Sequence, residues 1–342
     1  MNRERKLLLM AVALITMMPA PARSAPPKCA APQATLLAAG LQGCIGSTVG
    51  PDGALYVPEG AAGRISRIDP NTGQVTTFAT GLPKPIAGLG ATDVAFLGNT
   101  AYALVTLVSP DVGGKDIDGI YRIDGPNRFT VVANIGRWSI AHPPTRNFSY
   151  YIPTGVQYAL ETYRGGFLVT DGHLNRVLWV TVDRCMSAPP EDDSNISELI
   201  AFDDIVPTGL TVAGHTIYMA EAGPIPHLPE DGKVVEFGFH SPTASVVASG
   251  ARLLVGVAFG PHRQLYALAQ GVWAGQQAGE PALPNTGSLV KVNDDGGFKV
   301  VADHLDRPTS LEFIGNTAYF VSLAGEIWKI ENVSCRRDDD SH

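Results

Sequence analysis

One hairpin phrase recurs six times along this chain, and that repetition restricts the fold more than any other feature. The copies are Gly50–Val57 (GPDGALYV), Leu97–Leu104 (LGNTAYAL), Arg164–Val169 (RGGFLV), Ala213–Met219 (AGHTIYM), Gly260–Leu268 (GPHRQLYAL) and Ile314–Val321 (IGNTAYFV). Each is a polar turn rich in Gly, Asn or Asp that enters a strand with an aromatic or apolar centre. A short apolar strand precedes each copy: Ser47–Val49, Thr92–Phe96, Thr154–Val156, Thr208–Leu210, Gly256–Phe259 and Thr309–Leu311. A third strand follows each, as in Arg64–Ile68 or Glu326–Ile330, and a fourth follows in five copies, as in Val75–Ala79 or Lys299–Ala302. Three or four strands repeating about every 45–50 residues are the blades of a β-propeller. A lone four-stranded sheet leaves both faces and two edges unsatisfied, and packing blades around an axis buries the faces. The fold class expected is therefore all-β, a six-bladed β-propeller. With 37 Gly, 26 Pro and only 17% charged residues, the composition suits many short strands and tight turns.

The sixth copy has no fourth strand, because the chain ends soon after Ile330. Ala34–Ala39 (ATLLAA) reads as that missing strand, so the N-terminal strand is expected to complete the last blade and close the ring. Antiparallel pairing with Glu326–Val333 puts Ala34 near Val333 and Cys29 near Cys335. A Cys29–Cys335 disulfide at this seam is expected. The loop it closes spans nearly the whole chain, for an ideal entropic gain on the order of 5 kcal/mol. Cys44 and Cys185 fall in different blades and read as free, buried thiols. No CxxC pair is present, which argues against zinc sites of the ribbon or finger type.

Residues 1–24 read as a signal peptide: Arg3, Arg5 and Lys6 form a basic start, Leu7–Met18 an apolar stretch, and Ala22-Arg23-Ser24 a cleavage site before Ala25. The apolar stretch is short for a membrane span, which needs about 20 residues. The domains are then 1–24 signal peptide, 25–335 propeller and 336–342 solvated tail. Residues 1–24 carry four basic and one acidic side chain, so cleavage takes the net charge from −8 to −11. No basic cluster remains to attract nucleic acid or an anionic membrane. The mature chain is expected to be a secreted or periplasmic monomer whose partner is a small molecule or an extracytoplasmic protein.

With these phrases in place, the chain resembles the ScyD/ScyE family of exported proteins. The matching phrases are Ala38-Ala39-Gly40-Leu41, Gly50–Val57 with Glu59, Gly63–Asp69 (GRISRID), Val247-Ala248-Ser249-Gly250 and Asn316–Val321 (NTAYFV). The likeness covers the mature chain; it implies a propeller fold and export and transfers no catalytic residue. More distantly, the chain is similar to NHL-repeat, gluconolactonase-like and strictosidine-synthase-like propellers, which share the GPDGxLYV phrase.

Ligands bind propellers at loops that join the second strand to the third and one blade to the next. The second strands end at Glu59, Asp171, Glu221, Gln270 and Ser322, and the innermost strands begin near Thr48, Asp93, Thr154, Thr208 and Thr309. A polar, acidic ring is therefore expected at the axial opening. Two readings are open for it. Glu59, Asp93, Asp171 and Glu221, with Asn175 as a carbonyl ligand, form a hard-oxygen set suited to Ca²⁺ or Mg²⁺, and the likeness to gluconolactonase-like propellers implies a metal there. Alternatively, these side chains cap strand ends by bonding to loop N–H groups. His173 and His227 lie in loops of the same face and are candidate general bases beside Asp171 or Glu221. The long loops Ser109–Asp118, Arg137–Tyr151 (with Trp138, Phe148, Tyr150 and Tyr151) and Gln270–Asn285 (with Trp273) suit a small ligand or a protein partner. Asp111, Gly113, Gly114, Asp116 and Asp118 lack the spacing of an EF-hand calcium loop.

The residues thus support a binding propeller whose axial face carries Glu59, Asp93, Asp171, His173, Glu221, His227 and Trp273. The alternative is a metal-dependent hydrolase or lyase. Two features are directly measurable on the exported protein. Intact mass should place the mature N-terminus at Ala25, and a thiol titration in denaturant without reductant should give two thiols; four would exclude the Cys29–Cys335 bridge.

Overall fold

The computed structural model of the chain describes residues 32–334 except 87, 147–150, 242, 276 and 278. The expected signal peptide, Cys29, Cys335, Phe148 and Tyr150 lie outside the described residues. The described chain is an all-β, six-bladed propeller of six four-stranded antiparallel sheets.

Strand β1 (Ala34–Ala39) comes first. Blade 1 is β2 (Thr48–Val49), β3 (Leu55–Glu59), β4 (Arg64–Ile68) and β5 (Val75–Thr80). Blade 2 is β6 (Gly90–Leu97), β7 (Thr100–Thr106), β8 (Gly119–Gly125) and β9 (Arg128–Asn134). After the short helix α1 (Ile135–Ala141), blade 3 is β10 (Gln157–Tyr163), β11 (Gly166–Asp171), β12 (Arg176–Val180) and β13 (Ile196–Ala201). Blade 4 is β14 (Pro207–Ala213), β15 (Thr216–Glu221), β16 (Gly232–Gly238) and β17 (Ser245–Ala251). Blade 5 is β18 (Leu254–Phe259), β19 (Leu265–Ala269), β20 (Gly287–Val292) and β21 (Phe298–Leu305). Blade 6 is β22 (Pro308–Ile314), β23 (Thr317–Ser322) and β24 (Glu326–Glu331), and β1 lies beside β24 as its fourth strand.

The hydrophobic core is divided among the blade interfaces. Tyr102 and Leu104 of blade 2 pack with Phe167 and Val169 of blade 3, whereas Ala101, Ala103 and Val105 pack toward Tyr56 and Ile65 of blade 1. The same alternation puts Leu265 and Ala267 against blade 4, and Tyr266 and Leu268 against blade 6. Successive side chains of a strand point to opposite faces, and here both faces are covered. Hence the second strands read as continuous apolar runs, and β3 is buried at all five positions. Aromatic pairs fasten neighbouring blades: Tyr102 with Phe167 at 4.9 Å, Tyr218 with Phe259 at 5.2 Å and Tyr266 with Phe313 at 4.9 Å between ring centroids. Such geometries add to the burial of the rings.

Four sequence expectations shift in detail. Thr154 and Gly155 precede the innermost strand of blade 3 rather than forming it, because Gly155 turns the chain at φ +77° and the strand begins at Gln157. Asp93 lies inside β6 rather than at its start. Ala34 pairs with Ile330 rather than lying near Val333, and an irregularity between Leu36 and Ala38 shifts the register. Cys44 is buried, as expected, but Cys185 is exposed, because it lies in the loop between β12 and β13. In the connection between blades 2 and 3, the side chain of Asn134 accepts a hydrogen bond from Arg137 N at 3.0 Å and starts α1. Trp138 of α1 stacks over the buried Arg176 guanidinium at 4.8 Å.

The pairing of β1 with β24 holds sequence-distant ends together through five register pairs. Removing residues 32–39 from the mature chain should lower the unfolding free energy by about 2–4 kcal/mol in urea titrations, from lost strand hydrogen bonds and cross-strand contacts. An unchanged midpoint would show that the strand does not close the ring.

Candidate functional site: the top face and the axial cavity

The loops joining second to third strands and the connections between blades share one end of the ring, called here the top face. The carboxylates that end the second strands do not converge on the axis. Glu59 and Asp171 bind backbone N–H groups of the connections beside them, and Glu221 faces Lys233.

Glu59 is fully buried at the end of β3. Its carboxylate receives Arg64 Nε and Arg64 Nη2, each at 2.7 Å, together with the Ser66 hydroxyl and Gln42 N at 2.9 Å. Burial pushes its pKa up, but the hydrogen bonds from Arg64, Ser66 and Gln42 outweigh this and hold it below the ordinary carboxylate range. Asp171 accepts from Val156 N at 3.1 Å, Leu174 N at 3.0 Å and Gln157 Nε2 at 3.3 Å. Asn175 Oδ1 accepts from Ile205 N at 2.9 Å and Val206 N at 2.8 Å, fixing the connection to blade 4. Asp118 likewise accepts from Val108 N at 2.9 Å and the Ser109 hydroxyl at 2.6 Å, while Asp111 accepts from the Thr154 hydroxyl at 2.8 Å. The Gly/Asp-rich loop is thus tied by its own acids. Glu221 is buried at the end of β15 opposite Lys233; burial pushes it up to about 7, against the lowering effect of Lys233.

The five side chains considered for Ca²⁺ or Mg²⁺ therefore sit in four blades. Glu59, Asp171 and Asn175 bond to loop donors, Asp93 bonds within the axis, and Glu221 faces Lys233. Among the described residues, no group of three or more His, Cys, Asp or Glu side chains is arranged to hold a metal ion. The donor set does not fit a shared ion, and no chemical step is derived through one.

The histidines are placed differently. His173 Nε2 accepts from Ile152 N at 2.7 Å, so its neutral form carries the proton on Nδ1. His227 Nδ1 lies 2.8 Å from the Gly223 carbonyl; a carbonyl only accepts, so Nδ1 is the protonated nitrogen and Nε2 the basic one. The His227 ring meets Trp273 edge-on at 5.4 Å, and Trp273 Nε1 donates to Glu280 O at 2.9 Å. Those contacts join the long loops of blades 4 and 5. Burial lowers the pKa of both histidines against the pull of nearby acids, Asp204 acting on each of them.

Asp93, Thr48 and Thr309 line the axis as expected, and beside them stand residues that the sequence did not single out. A cavity of about 70 Å³ runs between the innermost strands, lined by Asp93, Tyr158, Glu161, Glu312 and small or apolar neighbours. The Tyr158 hydroxyl donates to Thr309 O at 2.8 Å and so crosses from blade 3 to blade 6, the opposite side of the ring. Asp93 accepts from Val94 N at 2.9 Å and Leu160 N at 2.8 Å, tying blade 2 to blade 3. A sequence signal existed: Leu160-Glu161 and Leu311-Glu312 place a carboxylate at the same position of two inner strands otherwise built from small and apolar residues.

No family model and no curated protein matches the sequence. Solved structures share the fold. A gluconolactonase from Xanthomonas campestris is 12% identical with a TM-score of 0.57, covering 91% of this chain and 99% of its own. Virginiamycin B lyase from Staphylococcus aureus is 14% identical with a TM-score of 0.52, covering 88% of this chain and 98% of its own. A histidine-to-alanine variant of that lyase, solved with quinupristin, is catalytically inactive. A chain of the nidogen/laminin complex is 12% identical with a TM-score of 0.52, covering 83% of this chain and 95% of its own. These likenesses show a propeller akin to the gluconolactonase and virginiamycin B lyase group in fold.

Because Glu59 is held ionised by its partners, Glu59→Gln should cost about 2–3 kcal/mol at neutral pH by leaving the Arg64 guanidinium without its carboxylate. The folded pKa lies below the unfolded one, so this contribution is present above about pH 4.5 and is lost as pH falls through the folded value. Urea midpoints of the two proteins measured at pH 7 and pH 3 should therefore converge at the lower pH.

Proposed function

We propose that this chain is an exported propeller of the ScyD/ScyE kind that binds an extracytoplasmic protein partner through its top face. The observation that carries this reading is the distribution of exposed apolar side chains. Among the described residues, Ile86, Ile140, Tyr151, Ile225, Leu228 and Leu283 are large, apolar and exposed, and all six sit on top-face loops. The remaining ones, Leu36, Val75, Val246 and Val300, sit on outermost strands, and none lies on a hairpin turn of the opposite face. Scattered exposed apolar residues are ordinary, whereas their concentration on one face marks an interaction surface. The axial cavity of about 70 Å³ is far below the roughly 300–1,000 Å³ of pockets that enclose organic ligands, which favours a polypeptide on the rim over a small molecule in the hole.

A second reading, a hydrolase or lyase, is supported by His227. Its basic Nε2, lowered pKa and contact with Trp273 describe a neutral imidazole able to accept a proton at pH 7. The virginiamycin B lyase, in which replacing a histidine abolishes catalysis, lends this reading its reaction type.

One set of variants separates the two. Ile225→Ser/Leu228→Ser/Leu283→Ser and His227→Ala should each melt close to the wild type. Exported polypeptides retained by the immobilised wild type should bind the purified protein in calorimetry and protect loops 222–231 and 270–286 from hydrogen exchange. The triple variant should weaken that binding at least tenfold. Unchanged binding by the triple variant would reject the partner reading. Lactone or cyclic-depsipeptide opening by the wild type, abolished in His227→Ala, would establish the second reading.

A further inference from the structure

The axis of the ring holds acids without a counter-charge. Glu161 of β10 and Glu312 of β22 occupy equivalent places in blades 3 and 6: in register, each lies opposite the second residue of the strand phrase, Leu168 and Tyr319 respectively. Both line the same cavity, and Asp93 of β6 lines it beside them. The other inner strands contribute Ser47 and Thr48, Gly209 and Leu210, and Val255, Gly256 and Val257, none of them charged. No Lys, Arg or His lines the cavity. Tyr158 is the remaining titratable group, and its hydroxyl is engaged by Thr309 O. Asp93 has both oxygens bonded to backbone N–H groups, and Ser47 and Ser310 bond one another at 2.8 Å. The donors to Glu161 come from its chain neighbour Thr162, through the backbone N–H and a long contact of the hydroxyl with Oε1 at 3.5 Å, and no donor from another blade reaches it in the way Leu160 N reaches Asp93.

Two half-buried carboxylates in a cavity of this size, with a third acid beside them and no cation, cannot all be charged at low cost. We propose that the axial cavity is a proton-binding site, in which Glu161 and Glu312, reaching it from opposite blades, hold protons while the ring is closed and release them when the inner strands part. The direction of titration agrees with the geometry. Burial pushes Glu161 up to about 7 and Asp93 up to about 8, and burial with Glu161 and Asp93 as neighbours raises Glu312 well above the ordinary carboxylate range.

The sign of the linkage is opposite to that of Glu59. The folded pKa values lie above the unfolded ones, so the folded chain binds more protons than the unfolded chain from about pH 4.3 up through about 7 for Glu161 and about 8 for Asp93. Stability contributed by the pair is full below that window and falls as pH rises through it. The site thus couples the closure of the ring to ambient pH, and an exported propeller would loosen at its axis as its surroundings become alkaline.

The test is a pair of melting profiles from pH 5 to pH 8, for the wild type and for Glu161→Gln/Glu312→Gln. The wild type should lose roughly 5–10 °C in Tm across this range. The variant should keep a clearly shallower slope, the remainder coming from Asp93 and Glu221, and melt above the wild type at pH 8. Identical slopes would overturn the proposal. If the double variant fails to fold, each single variant should show a reduced slope and take up fewer protons than the wild type on refolding at pH 6; single variants that match the wild type in both would overturn the proposal. Rescue of the wild type at pH 8 by millimolar CaCl₂, absent in the variant, would also overturn it, because a cation rather than a proton would then balance the charge.

Discussion

Six strands must meet at one axis, and the close approach of their backbones is the constraint from which the rest of the molecule follows. At Gly209 a Cβ would stand 2.8 Å from Gly256 Cα, and at Gly46 it would stand 2.2 Å from Asp93 Oδ1. Glycine is required at these places because no side chain fits. Once the inner strands are this close, only a narrow cavity remains, and Tyr158 is long enough to bridge it. The blades diverge outward from the axis, so the apolar core is not a single mass but a series of interfaces between neighbours.

That geometry also settles what the conspicuous acids do. A blade must hand the chain to the next blade across the top face, and each connection brings backbone N–H groups that need acceptors. Glu59, Asp118, Asp171 and Asn175 supply them. The cost of burying a carboxylate is offset where several donors reach it, which is why Glu59 stays ionised while Glu221 and the axial acids are driven toward neutrality. With the polar strand ends engaged in holding loops, the apolar side chains that the top face displays belong to the loops themselves, among them Ile225, Leu228 and the His227–Trp273 contact.

The fold was legible because its signals are local and repeated. A turn such as Gly50-Pro51-Asp52-Gly53 followed by Ala54-Leu55-Tyr56-Val57 specifies a hairpin from within eight residues, and six copies leave one economical closure. The position of Ala34–Ala39 beside the last blade followed from counting strands, although its register did not, because the irregularity near Leu37 has no sequence mark. The site was less legible. Sequence order placed Glu59, Asp171 and Glu221 at the correct end of the ring, but whether a carboxylate faces the axis or a neighbouring loop depends on its hydrogen-bond partners, and those come from residues as distant as Gln42 and Val156. Glu161 and Glu312 could have been noticed as charges inside apolar strands. Their convergence across the ring is a property of closure and has no local trace.

The state of the axial carboxyl groups is the most direct test of this account, because it depends on ring closure, on the narrowness of the cavity and on the absence of a counter-cation together. Carbon-13 NMR titration of side-chain-labelled glutamate, with Glu161 and Glu312 assigned by substitution, would report it in the folded protein. The account predicts a midpoint near 7 for Glu161 and one well above the ordinary carboxylate range for Glu312. Midpoints near 4.3, the value of a solvated glutamate, would contradict it.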